Sequence, residues 1–89
     1  MKIEVRKPTE EEIKLALRWD TWEEDTCQFP WYYFTKEITY IVEGEAIVTD
    51  NEGNKVQFGA GDWVIFDEDL ECTWDIRKKI KRHYHFEEL

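Results

Sequence analysis

Three side chains in this 89-residue chain have chemistry that an apolar interior would have to accommodate: Glu37, Cys72 and Arg82. Each lies in an apolar or aromatic neighbourhood. Counting by twos along extended chain places Trp31, Tyr33 and Glu37 on one face, Leu70, Cys72, Trp74 and Ile76 on another, and Arg82 with Tyr84 on a third. Brought together, they form an aromatic cup with one acid, one base, one thiol and phenol hydroxyls. A mostly apolar lining with a few convergent polar groups is the general description of a small-molecule site. A buried Glu37 needs a partner, because burying it unpaired costs several kcal/mol. Arg82 is the best candidate. Glu37 and Cys72 are the only candidates for a metal, a thin pair that could hold zinc if further ligands joined. Cys72 has no base beside it in sequence, so it reads as a small hydrophobe rather than a nucleophile.

His83 and His85 form an HxH pair, and on a strand both rings share one face. The alternate set, Ile80, Arg82, Tyr84 and Phe86, is more apolar and should face inward. The two histidines then face outward with Lys79 and Lys81, as surface or interface residues.

The elements that must position these groups are mostly strands. Residues 2–6 alternate in strand period. Thr9-Glu10-Glu11-Glu12 reads as a capping box for one short helix over about 10–17. Trp22 opens a candidate strand. Phe29 to Phe34 is aromatic but carries Pro30, which suggests an edge or a bend. Glu37–Val42 is the clearest strand, interrupted by Gly44 and continued by Ala46–Thr49. Turns follow at Asp50–Asn54, Gly59–Asp62 and Asp67–Asp69, separating strands at 55–58, 63–66 and 70–75; a last strand runs from about Lys79 to Phe86. Short strands with regular turns indicate an all-β sandwich or barrel. Both faces of Glu37–Val42 are apolar, so the outer one must be covered by the N-terminal segment or by another subunit.

Bulk properties narrow the classes. The length suits one domain spanning 1–89. Aromatic residues make up 16% of the chain, five of them Trp, which argues for a packed core despite 37% charged residues. The net charge is −9 and the isoelectric point about 4.6, without the basic footprint of a nucleic-acid binder. The run Arg77–Arg82 is basic but short, and reads as a solvated strand face. Two cysteines without CxxC spacing make a poor disulfide framework. No apolar signal segment opens the sequence and no run approaches a membrane span, so the expectation is a cytoplasmic protein with reduced thiols and no membrane partner.

Specific motifs add a family resemblance. Glu37 is followed after six residues by Gly44, then by a strand, the Asp50–Asn54 turn and another strand, and then by Gly59-Ala60-Gly61-Asp62-Trp63. This order resembles the two sequence motifs of cupins. Phe29-Pro30-Trp31, Val42-Glu43-Gly44, Gly61-Asp62 and Arg82-His83-Tyr84 are similar to the group containing the (S)-ureidoglycine aminohydrolase cupin domain and the ethanolamine-utilisation cupin. The chain looks especially like the stand-alone cupins of bacteria such as Thermotoga, which lack an assigned activity. The resemblance covers about residues 29–76 and implies a cupin-type double-stranded β-helix, or jelly-roll barrel, with one short N-terminal helix. It also implies a homodimer.

Metal-dependent cupins supply three His and one Glu. Here Glu37 stands at the Glu position, but the HxH pair aligns to Trp31 and Tyr33, or to Pro30 and Tyr32 at the longer spacing. The second-motif His position falls on Cys72, and the PxG becomes Asp67-Glu68-Asp69. The expectation is a barrel that binds a small polar metabolite without that metal site and without a cofactor. Two alternatives stand beside it. One is a metal-dependent, aminohydrolase-like enzyme using a divalent ion. The other is a structural homodimer with a filled barrel.

Overall fold

The computed structural model describes residues 2–87. Strand β1 (Ile3–Arg6) is followed by helix α1 (Glu10–Ala16), β2 (Asp20–Glu24), β3 (Cys27–Tyr33), β4 (Lys36–Asp50), β5 (Lys55–Gly59), β6 (Trp63–Phe66) and β7 (Leu70–Glu87). Every strand pairing is antiparallel. The expected all-β jelly roll with a single short helix is the observed fold.

The two long strands organise everything else. β4 and β7 pair from Lys36 opposite Glu87 to Asp50 opposite Cys72. One half of this ribbon carries the order β1-β6-β4-β7-β2; the other half carries β5 against β4 and β3 against β7. The register shifts three times between Ile41 and Ala46. Such bulges bend a strand, which lets one ribbon serve both halves of the barrel. Gly44 sits in this bend at φ 96°, and a Cβ there would meet the Ile80 Cα at 2.7 Å. Only glycine fits the combination of left-handed backbone and close approach.

Two sequence expectations change here. Gly44 does not interrupt the strand; it bends it. Likewise the separate strands expected at 70–75 and from Lys79 are one strand, because Arg77–Lys79 stays extended, with Lys78 opposite Glu45. Arg77, Lys78 and Lys79 are exposed, in keeping with the solvated strand face that the basic run suggested. Pro30 does sit on an edge strand: within β3 it faces Thr73 of β7, and β3 has no second neighbour among the described residues.

The interior follows strand period. Ile41, Ala46 and Val48 of β4 alternate inward with Leu70, Cys72, Trp74, Ile76 and Ile80 of β7, and Val64 and Phe66 join them. On the outer face Ile38, Tyr40 and Val42 are half-buried. The N-terminal segment supplies part of their cover. The capping box forms as expected: Thr9 Oγ1 accepts from the Glu12 backbone N–H, and Glu12 Oε1 accepts from Thr9 N–H at 2.9 Å. The helix ends one residue early, with Leu17 as C-cap. Ala16 is fully buried, and Trp19 packs on the buried Trp63 at 5.5 Å between ring centres.

Candidate functional site

The end of β3, the start of β4 and the second half of β7 bring the titratable groups together. Tyr33 closes β3, and the turn into β7 holds it in place. Asp69 takes a left-handed conformation there, donates its backbone N–H to the Tyr33 carbonyl at 2.7 Å, and accepts from the Tyr32 hydroxyl at 2.8 Å. Glu37 lies on β4 between Phe66 of β6 and Phe86 of β7. Arg82 lies on β7 between Ile41 of β4 and Trp22 of β2.

Glu37 is 1% exposed and Arg82 7%. Arg82 Nη1 donates to Glu37 Oε2 at 2.8 Å and to Thr39 Oγ1 at 3.2 Å, while the Thr39 hydroxyl donates to Glu37 Oε2 at 2.8 Å. The expected partner of Glu37 is therefore the observed one. The guanidinium is also ringed by aromatic faces, at 4.6 Å from Trp22, 5.2 Å from Tyr84 and 5.3 Å from Trp74. These cation–π contacts matter more when desolvated, as here. Arg82 Nε is the one fully enclosed side-chain polar atom without a hydrogen-bond partner among the described residues.

A cavity of about 230 Å³ opens over this pair. Six of the seven expected residues line it: Trp31, Tyr33, Glu37, Trp74, Arg82 and Tyr84. Tyr33 and Trp74 form its buried floor, with Trp74 Nε1 donating to the Tyr33 hydroxyl at 3.1 Å. Burial, with the Glu37 charge behind it, raises the Tyr33 pKa well above the usual phenol value, so the hydroxyl keeps its proton. Trp31, at 49% exposed, forms the rim.

Cys72 is the exception. It is buried, but it does not line this cavity; its Sγ packs against the Trp31 carbonyl at 3.6 Å. It lies further along β7, opposite Trp31 and Asp50, beside a separate surface opening. Burial first, then the charges of Glu37 and Asp50, push the Cys72 thiol up to about 11. In the metal-free protein the thiol is therefore protonated at neutral pH.

Three lining residues were missed: Trp22, Phe29 and Phe86. Phe29 shares the parity of Trp31 and Tyr33, and Phe86 that of Arg82 and Tyr84, so both were readable. Trp22 was not, because only the pairing of β2 with β7 places it opposite Arg82. The histidines face away from the cavity as expected. His83 Nδ1 lies 3.2 Å from Thr21 Oγ1, and His85 stacks on Trp19 at 5.3 Å.

This lining sits in a recognisable family. Residues 14–84 match the family model described as the EutQ-like cupin domain. The chain belongs to the EutQ-like cupin family. Among solved structures, this cupin is similar to a DUF861-family protein of Thermotoga maritima, at 36% identity and a TM-score of 0.92. The match covers 96% of this cupin and 99% of that protein. The EutQ protein of Clostridium difficile shares the fold, at 19% identity and a TM-score of 0.66. There the match covers 72% of this cupin and 50% of that chain, so this cupin spans about half the length of that EutQ protein. No match is found among the curated proteins. The family is one of unassigned function.

Cupins of the three-His-one-Glu type hold a divalent metal, and the donor set here does not fit one. Neither alignment of the HxH pair supplies a histidine, Cys72 does not line the cavity, and Glu37 is engaged by a guanidinium. Among the described residues no three His, Cys, Asp or Glu side chains cluster as a metal site requires.

Proposed function

We propose that this cupin binds a small polar metabolite in the barrel cavity without a metal ion. The observation that carries this reading is the Glu37–Arg82 pair, buried yet lining an open cavity whose other walls are aromatic. A barrel that served only as a core would fill such a space with side chains. Burying an ion pair brings little stability by itself, which leaves recognition as its use. The cavity, about 230 Å³, is smaller than the 300–1,000 Å³ typical of drug-sized ligands, so the ligand is a small metabolite.

A metabolite panel read by thermal shift tests the proposal, with Trp31→Ala as control. Trp31 is half exposed, so its removal weakens the site more than the fold. Binding that saturates in the wild type and weakens in Trp31→Ala is the expected result. No response to any metabolite class overturns it.

We also propose a homodimer. Ile38, Tyr40 and Val42 on the outer face of β4 are only half-buried, and a second subunit would complete their cover. Light scattering that gives a monomer mass at micromolar concentration overturns this part.

A further inference from the structure

The polar atoms that the Glu37–Arg82 pair leaves unused define what the cavity can recognise. Glu37 Oε2 accepts both hydrogen bonds made to this carboxylate, and Arg82 Nη1 donates both bonds made by the guanidinium. Glu37 Oε1 and Arg82 Nη2 have no partner among the described residues. Neither is sealed off, since Arg82 Nε is the one fully enclosed unpartnered polar atom. Both residues are otherwise buried and both line the cavity, so their remaining accessible surface faces it. The Glu37–Arg82 pair thus presents one unpaired acceptor and one unpaired donor to the cavity, on adjacent side chains. An uncompensated buried donor or acceptor is costly, so a ligand that satisfies both gains most.

From this we infer that the cavity takes an uncharged ligand carrying a hydrogen-bond donor and acceptor side by side, as a carboxamide or lactam edge does. The carbonyl oxygen accepts from Arg82 Nη2 and the amide N–H donates to Glu37 Oε1. This rests on the reading of the cavity as a small-molecule site and adds the ligand class.

Charge argues the same way. Glu37 and Arg82 neutralise each other, so an ion of either sign enters a low-dielectric cavity without a counter-charge. A carboxylate would pair with Arg82 Nη2 but meet Glu37 Oε1. An ammonium group would pair with Glu37 Oε1 but meet Arg82 Nη2. Three of the aromatic faces, Trp22, Trp74 and Tyr84, are already turned on the Arg82 guanidinium. The remaining wall, Phe29, Trp31 and Phe86, offers flat apolar surface to the body of the ligand.

Benzamide, benzoate and benzylamine share one ring and differ in the group presented, so calorimetric titration of the wild-type protein with the three separates the possibilities. The expected result is benzamide binding at least about fivefold more tightly than either ion, the fold-change that one to two extra hydrogen bonds supply. Trp31→Ala weakens benzamide binding if the site is this cavity. A smaller preference, or tighter binding of benzoate or benzylamine, overturns the ligand class and leaves the small-molecule reading standing. Absence of binding by all three at millimolar concentration overturns the ligand class as well. The metabolite panel then decides the broader reading separately.

Discussion

Arg82 Nη1 reaches Glu37 Oε2 at 2.8 Å across forty-five residues of sequence, inside a barrel where both side chains are almost fully buried. Neither can be removed alone without leaving a charge in an apolar cavity. Arg82→Met is expected to destabilise the fold by about 3–5 kcal/mol, the range for breaking a buried pair. The double variant Glu37→Met/Arg82→Met should lose clearly less than the sum of the single variants. Urea denaturation of the four proteins checks this, and simple additivity would show that the two groups do not act as a pair.

Gly44 is expected to be the least replaceable glycine. Alanine there needs a left-handed backbone, which costs about 1–2 kcal/mol, and also places a Cβ against the Lys79–Ile80 backbone. Gly53 has a similar φ of 88° but open space around it. Gly44→Ala should therefore lower the melting temperature well beyond Gly53→Ala. Equal effects would mean that the close approach at the bend carries no energy.

The thiols should separate by reactivity. Cys27 is exposed and Cys72 buried with its pKa pushed up to about 11. Alkylation of the native protein near neutral pH should modify Cys27 first, and Cys72 only after unfolding. Mass spectrometry of the time course reads the order directly; early modification of Cys72 contradicts it.

The raised Cys72 pKa also sets a pH dependence. An acid whose folded pKa lies above its unfolded value binds more protons in the native state, so its stability contribution is full below the unfolded value of 9.0 and falls as pH rises to about 11. Stability should decline over that window by up to about 2–3 kcal/mol from this group. Tyr33, also raised by burial, adds to the decline at higher pH. Replacing Cys72 with Ala should flatten the first part of the curve, and an unchanged slope assigns the effect elsewhere.

Metal content gives a further test. Freshly purified protein should carry far less than one equivalent of any divalent ion, and added Mn, Ni or Zn should leave the melting temperature unchanged. Specific binding to the native state would raise it. A stoichiometric, stabilising metal overturns the metal-free reading of the cavity.

Much of this protein is local in origin and so was readable in its residues. Period-two alternation chose the inward face of β7 and of each half of β4, whose parity changes across the bulges between Ile41 and Ala46. The capping box marked the start of the one helix, and Pro30 marked an edge strand. The need of a buried carboxylate for a partner pointed from Glu37 to Arg82, and the structure pairs them. Parity also assembled six of the seven expected residues of the cavity.

The tertiary structure decided what depends on distance across the barrel. Alternation says which face a side chain takes, not how far along a bent strand it lies from a residue on another. Cys72 has the right parity, yet it lies by a separate opening with Thr49, Asp50 and Thr73. Trp22 reaches Arg82 only because β2 pairs with β7 in one register. The strands expected at 70–75 and from Lys79 are continuous through Arg77–Lys79, because Lys78 pairs with Glu45 of β4. Which atoms of Glu37 and Arg82 remain free is likewise a matter of side-chain angle. Residue types pointed to an acid and a base in the barrel, while packing decided which oxygen of Glu37 and which nitrogen of Arg82 stay unpaired.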